Sequence, residues 1–321
     1  MDQRRPAFRI ADTAVAPGKK VSSELPIARL VTGTRISLPI QVLHGRRPGP
    51  TVWVSAAVHG DEIAGVEIIR RVVGSIDART LAGTLLTVPI VNAHGFLTGD
   101  RYLPDRRDLN RSFPGSATGS LAARIANLFM SEIVERCEYG IDLHTGSDHR
   151  TNLPQIRADL DDEPTRTLAE AFGAPLMLHA KVRDGSLRGA ATEAGATVLL
   201  YEGGEAWRFD RDAIEVGVDG VRRVLGELRM VDVDDVPVSK PPVESRKSTW
   251  VRARRSGIAL LDAELGDRVS RGQQLGVIHD SVGARLSRIA ASTDGIIIGR
   301  IQHPLVNQGD AIVHIAEVLD P

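Results

Sequence analysis

The chain reads as an α/β fold, a mixed and largely parallel sheet flanked by helices, followed by a small all-β unit. Three observations lead there. Nearly continuous apolar runs at Thr51 to Val58, Leu85 to Val91, Tyr139 to His144 and Thr197 to Glu202 suit strands buried on both faces. Helical stripes separate these runs, the alternation expected of a parallel sheet with crossover helices. Near residue 240 the stripes stop, and short strands punctuated by glycines take over.

The elements follow in order. Residues 1–25 are polar and without a clear period, so they are expected to be a loosely packed N-terminal arm. Ile36, Leu38 and Ile40 alternate as an antiparallel strand would, before the buried run from Thr51. Ile63, Val66, Ile69 and Val73 predict a helix over 61–73 that stops at Gly74. Leu121, Ile125, Leu128, Phe129 and Ile133 share one face of a second helix, and a third lies around residues 211–230. The stretch VDVDDVPVSKPPVESRKS then supplies prolines and acids with no stripe, which places a boundary near residue 240. A division into a 26–240 α/β domain and a 241–321 β domain results.

The second unit contains a repeat. Val269, Gly272, Leu275 and Ile278 share a spacing with Val306, Gly309, Ile312 and Ile315, which predicts two similar halves of a small β-sandwich. The pattern resembles the biotinyl or lipoyl-like barrel-sandwich, whose carrier versions need a hairpin lysine. No lysine follows Lys247, so a swinging-arm role is excluded. A lid, a shielding wall or an oligomer contact remains.

Composition narrows the function. The 321 residues can bury roughly three quarters of their unfolded surface, enough for one large core and one small one. Forty Lys and Arg oppose 41 Asp and Glu, so no global field favours nucleic acid or an anionic membrane. The single cysteine, Cys137, excludes an intrachain disulfide, and no stretch reaches the ~18 apolar residues of a membrane span. The basic segment MDQRRPAFRIAD is followed by no apolar signal region, so the expected location is cytoplasmic.

The chemistry starts at VHGDE, residues 58–62. His59 and Glu62 close a strand, and His144 ends the strand YGIDLH. Two imidazoles and a carboxylate make an open zinc site with a position left for water, which distinguishes a catalytic zinc from a structural one. Ligands of open α/β sheets sit beyond the carboxyl ends of the strands, and Glu202 ends a third strand aimed at the same crevice. The segment GDRYLPDRRDLNRSFPG, residues 99–115, brings Asn110 and Arg111 side by side, an amide donor beside a planar fork that matches a carboxylate. Its arginines could equally pair with Asp100, Asp105 and Asp108. His149 could line the pocket or sit in an exposed loop. His94 follows a strand in VNAHGF with no role assigned, and His44, His179, His279, His303 and His314 read as structural or solvated.

Together VHGDE, DLNRSFPG, IDLHTG and YEGGE resemble the succinylglutamate desuccinylase/aspartoacylase family, relatives of the zinc carboxypeptidases, over roughly residues 30–320. The resemblance implies a zinc carboxypeptidase-like catalytic domain with a C-terminal β domain and one zinc per chain, held by His59, Glu62 and His144. It implies that Glu202 activates water and that Asn110 and Arg111 grip the substrate's free carboxylate. Arg101, with Arg106 and Arg107 as rivals in its loop, would polarise the scissile carbonyl. Asp108 would orient His59 by accepting its second N–H, with Asp142 a rival for that role. The implied activity is hydrolysis of a small N-acyl amino acid or related amide bearing a carboxylate. The alternatives are a metallocarboxypeptidase acting on peptides and a relative that binds metal or ligand without turnover. Arg183 and Arg188, from a glycine-containing segment, are candidate contributors to substrate recognition.

Overall fold

A computed structural model describes residues 5–147, 149–232 and 241–318. The composition shift around residues 233–240 lies outside the described residues.

The N-terminal stretch departs from expectation. β1 (Phe8–Ile10) and β2 (Thr13–Val15) form an antiparallel pair, and β3 (Lys19–Arg29) runs antiparallel to β4 (Arg35–His44). Ile10 and Val15 are fully buried, as is Leu25 on β3. Such anchors, each alone in a polar stretch, leave no period to detect.

From β4 inward the sheet is built by the apolar runs. β5 (Arg47–Ala56) leads through α1 (Ala64–Ser75) to β6 (Ala82–Val88), which lies parallel to β5 and antiparallel to β4. The helix buries Ile68, Ile69, Val72 and Val73 against the sheet and runs past Gly74, so that glycine is not its stop. After α2 (Ala93–Thr98) and α3 (Leu121–Glu132, capped by Ser120) comes β7 (Tyr139–Gly146), parallel to β5 on its other side. β8 (Arg150–Ala158), α4 (Glu163–Phe172), β9 (Leu176–His179) and α5 (Leu187–Glu193) precede β10 (Thr197–Glu205), which is parallel to β7, and then α6 (Arg211–Glu227). Helices α1, α4 and α6 bury their stripes on one face, while α3 and α5 cover the other. The mixed sheet, parallel at its centre from β6 through β5 and β7 to β10, is therefore as the sequence predicts.

Beyond β10 lies β8, antiparallel, and beyond β8 the C-terminal strands. These are β11 (Val243–Ser245), β12 (Lys247–Arg252), β13 (Gly257–Leu261), β14 (Arg268–Val269), β15 (Gln274–His279), β16 (Arg285–Ala290), β17 (Gly295–Ile301), β18 (Leu305–Val306) and β19 (Ala311–Glu317). The two repeat copies occupy matching places. β13 pairs with β18 and β17 with β14, an exchange between halves, and all six apolar repeat positions enter one core. Gly272 and Gly309 make the matching turns at φ +83° and +97°. This unit has its own core, yet β17 pairs with β8, so the main sheet continues through β17 and β19 to β12 without a break.

Candidate active site

Three strand ends converge. His59 and Glu62 follow β5, His144 lies near the end of β7, and Glu202 lies on β10 in register with His144. Close approach fixes the first turn: a side chain at Gly60 would place its Cβ 2.0 Å from the backbone of Gly95, so this position between the two motif residues must be bare. Asn92, fully buried, caps α2 by accepting from Gly95 N at 2.8 Å and donates to the Arg101 carbonyl at 3.3 Å, which sets the loop carrying Arg101.

His59, Glu62 and His144 are all at least 96% buried, and one ligand atom of each lies within 4.8 Å of the others. Both Nδ1 atoms point at Glu62, each 2.8 Å from one of its oxygens, and Thr145 N donates to the same carboxylate at 3.1 Å. The outer nitrogens are held by different acids. His59 Nε2 is 3.2 Å from Asp108, and His144 Nε2 is 2.8 Å from Asp142, which also accepts from Ser55 Oγ at 2.8 Å. Asp108 and Asp142 are thus not rivals; each orients one histidine.

The electrostatics show what is wanted between the Nδ1 atoms. Burial alone would raise the Glu62 carboxyl, but the two imidazoles outweigh it and hold it well below the usual range. Burial would likewise lower His144, but Asp142 and Glu62 outweigh it and raise the ring well above its ordinary value. Arg101 answers Glu62 and Asp108, while Asp142 answers His144, so the cluster holds more carboxylates than guanidiniums. A divalent cation in place of the Nδ1 protons would offset part of that excess. Two imidazole nitrogens and a carboxylate, backed by acids on the outer nitrogens, are a zinc donor set.

Arg101 reaches into this cluster, donating to Asp108 at 3.0 Å, Ser147 at 2.9 Å and Glu62 at 3.3 Å. Its rivals do not. Arg107 lies beside Asp105, and Arg106 is exposed. Asp108 also caps the turn Leu109–Arg111 through Asn110 N at 2.8 Å, so one carboxylate places the histidine, the arginine and the Asn110–Arg111 pair. Asn110 accepts from Leu187 N at 2.8 Å, and Arg111 bends back to its neighbour's carbonyl; both line the cavity.

That cavity, about 760 Å³, joins the His59–Glu62–His144 cluster to Glu202 and to the C-terminal residues Trp250 and His314. Glu202 accepts from Asn152 Nδ2 at 2.8 Å and lies 4.0 Å from Arg157. Arg183 lines the cavity. Arg188 also reaches it, but spends its donors on the carbonyls of Ala180 and Lys181. His149 packs instead between Trp207 and His303. Sequence reasoning missed Asn152, Arg157, Trp250 and His314. The one available signal was the polar residues of the strand Arg150–Ala158, which show only once β8 is known to border β10.

The burial of Asp61 was also unforeseen. Its carboxyl, pushed up to about 6 by burial and then by Glu62, shares the β5 turn, and its carbonyl accepts from Trp207 N at 2.9 Å. Cys137 sits apart, its thiol pushed up by burial, which keeps it unreactive.

Comparison with known proteins agrees with the geometry. A succinylglutamate desuccinylase/aspartoacylase catalytic-domain model matches residues 48–228, which include every proposed metal ligand and Glu202. An N-alpha-acetyl-L-2,4-diaminobutyric acid deacetylase from Halomonas elongata is 28% identical over 302 residues, 89% of this chain and 87% of that protein. A succinylglutamate desuccinylase from Burkholderia mallei is 32% identical over half of each chain. Among solved structures, a succinylglutamate desuccinylase/aspartoacylase from Rhodobacter sphaeroides superposes with a TM-score of 0.82 at 25% identity, covering 94% of this chain and 96% of that one. The ectoine utilization protein EutE (DoeB) from Ruegeria pomeroyi shares the fold, with a TM-score of 0.86 at 23% identity over 99% of this chain and all of that one. With the matched residues covering more than half of its length, the chain belongs to the succinylglutamate desuccinylase/aspartoacylase family.

Proposed function

We propose that the protein is a zinc-dependent amidohydrolase that removes the acyl group from a small N-acyl amino acid or related amide bearing a carboxylate. It would act on carbon–nitrogen bonds other than peptide bonds, in linear amides. The observation that carries this reading is the buried His59–Glu62–His144 cluster opening into the same cavity as Glu202. In it, residues 26–240 form the catalytic unit and 241–321 a fixed wall. The deacetylase and desuccinylase activities named for the relatives support the bond type. Its single cysteine suits a reducing, cytoplasmic setting.

One zinc per chain would be held by His59 Nδ1, His144 Nδ1 and Glu62, and when bound would supply Lewis acidity toward the carbonyl and lower the pKa of water toward ~7. The chain's own groups do the rest. Asp108 and Asp142 fix the tautomers of the two histidines, so that both inner nitrogens present lone pairs. Glu202, steadied by Asn152, takes the proton of the attacking water and delivers it to the leaving nitrogen. Arg101 donates to the oxygen that gains charge, and Arg111 and Asn110 hold the substrate carboxylate so that the amide carbon is correctly placed.

Enclosure by Trp250 and His314 favours small amides over peptides, which need an open groove. Purified zinc-loaded protein assayed on N-acetyl and N-succinyl amino acids tests the reading. Turnover of a small N-acyl amino acid is expected. Peptide cleavage alone would make it a carboxypeptidase, and metal binding with no turnover of any amide would leave a binding protein.

A further inference from the structure

Two residues near the site hold a backbone conformation that side-chain-bearing residues rarely adopt: His149 at φ +57° and Trp207 at φ +58°. Their rings pack against each other with centroids 5.5 Å apart, and His149 packs in turn on His303 of the C-terminal unit at 5.3 Å. All three stand outside the cavity lining, and Trp207 is half exposed. Left-handed backbone at a bulky residue is costly and persists only where the surrounding contacts over-determine it. Here those contacts lead to the His59–Glu62 turn and to the loop of Arg101.

Trp207 makes two hydrogen bonds, and they go to different places. Its backbone N donates at 2.9 Å to the carbonyl of Asp61, inside the turn that carries His59 and Glu62. Its indole Nε1 donates at 2.6 Å to the carbonyl of Gly99, two residues before Arg101. Gly99 closes α2 in the left-handed conformation at φ +66°, and a Cβ there would sit 3.2 Å from the indole nitrogen, so a bare position lets the ring approach. The turn after β7 completes a circuit. Ser147 Oγ accepts from Arg101 Nη1 at 2.9 Å, while His149, two residues on, lays its ring against Trp207 and accepts from Gln302 N at 2.7 Å through its carbonyl. Arg101 is thus held twice, its loop through the indole and its guanidinium through Ser147, and the ring contact joins the two holds. A glycine at 207 would take this φ without strain and keep the backbone bond, so what the tryptophan adds is its ring and its N–H.

We propose that Trp207 is a positioning residue: its indole ties the Gly99 loop to the His59–Glu62 turn and so sets where Arg101 stands relative to the carbonyl it polarises. This rests on the deacylase reading and deepens it by adding a residue that acts without touching substrate. Arg101 donates to an oxygen that gains charge only as the reaction proceeds, so its alignment bears on conversion of the bound complex rather than on binding. Binding is left to Arg111 and Asn110, which Trp207 does not contact through either hydrogen bond.

Trp207→Phe keeps an aromatic ring against His149 and deletes the indole donor. In the zinc-loaded enzyme, on the N-acyl amino acid it turns over best, kcat should fall by about 10- to 100-fold, the effect of a misplaced catalytic group, with KM within about twofold and zinc content unchanged. Added to Arg101→Lys, the same substitution should lower kcat by less than about twofold more, because the group it aims is already gone. Losses that multiply in full, or a kcat that Trp207→Phe leaves alone, overturn the proposal while leaving the deacylase intact. If no N-acyl amino acid is cleaved, the deacylase reading fails, and amide hydrogen exchange followed by mass spectrometry decides the tie alone. Trp207→Phe should then quicken exchange about tenfold in residues 99–107 and leave α1 and β7 as they were. Unchanged exchange in that loop, or a rise across the whole chain, overturns it.

Discussion

His144 and His314 are both buried, both line the same cavity, and are pushed in opposite directions. His144 stands between Asp142 and Glu62, which outweigh its burial and raise it well above its ordinary value; burial, and then Arg157 and Arg183, lower His314 to about 3. The cavity is therefore segregated by charge. Its inner end gathers Glu62, Asp108 and Asp142 around two histidines, and its other end gathers Arg157 and Arg183 around His314. A substrate with a polarisable carbonyl at one end and negative charge at the other is oriented by this field before any specific contact forms.

The inner end can be broken most completely. His144→Ala removes a ligand and leaves Asp142 without a partner ring, so the protein should retain no zinc by elemental analysis and turnover should fall to background. Full zinc content in this variant would remove His144 from the ligand set. Glu202→Gln comes next. It should keep its zinc while kcat drops by about 100- to 10,000-fold, and normal turnover would take Glu202 out of the mechanism.

What could be read in advance follows the same division. His59, Glu62, His144 and Glu202 were legible because each ends an apolar run, and strand ends in such sheets are where ligands bind. Asn110 and Arg111 were legible as an adjacent pair suited to a carboxylate. The repeat centred on Leu275 and Ile312 predicted the C-terminal core, since burial alternates locally. By contrast, Arg157, Asn152, His314 and Trp250 meet only because β8 borders β10 on one side and β17 on the other, a pairing across about 150 residues that no local period encodes. The edge strand Lys19–Arg29 stayed hidden because Leu25 and Ile27 are its only buried residues.

Smaller perturbations sharpen the contrast. Asp142→Asn keeps a hydrogen-bonding group beside His144 Nε2 but removes its charge, so zinc affinity should weaken by about 10- to 100-fold in a chelator competition. An unchanged affinity would make Asp142 a mere spacer. The outer wall predicts the opposite kind of dependence, on protons. With its ring neutral in the fold down to pH about 3, His314 takes up a proton in the unfolded chain below pH ~6.5, so the native state binds fewer protons and stability falls as pH drops between these values. His314→Phe carries no such proton in either state. Its metal-free form should lose stability more gently across that window, by up to about 1.4 kcal/mol per pH unit in denaturant titrations. Identical slopes for the two proteins would show that burial and the two arginines do not hold the ring neutral.

The pairing of β17 with β8 has a mechanical consequence. Gly299, Arg300 and Ile301 are in register with Asn152, Thr151 and Arg150 through backbone hydrogen bonds, so the outer wall is bolted to the strand that steadies Glu202. A unit tied in this way cannot swing as a hinged lid without tearing a ladder. Any change in the width of the mouth must then come from the loop residues that also line it, such as Ser147, Lys181 and Arg183, and not from the C-terminal unit as a whole.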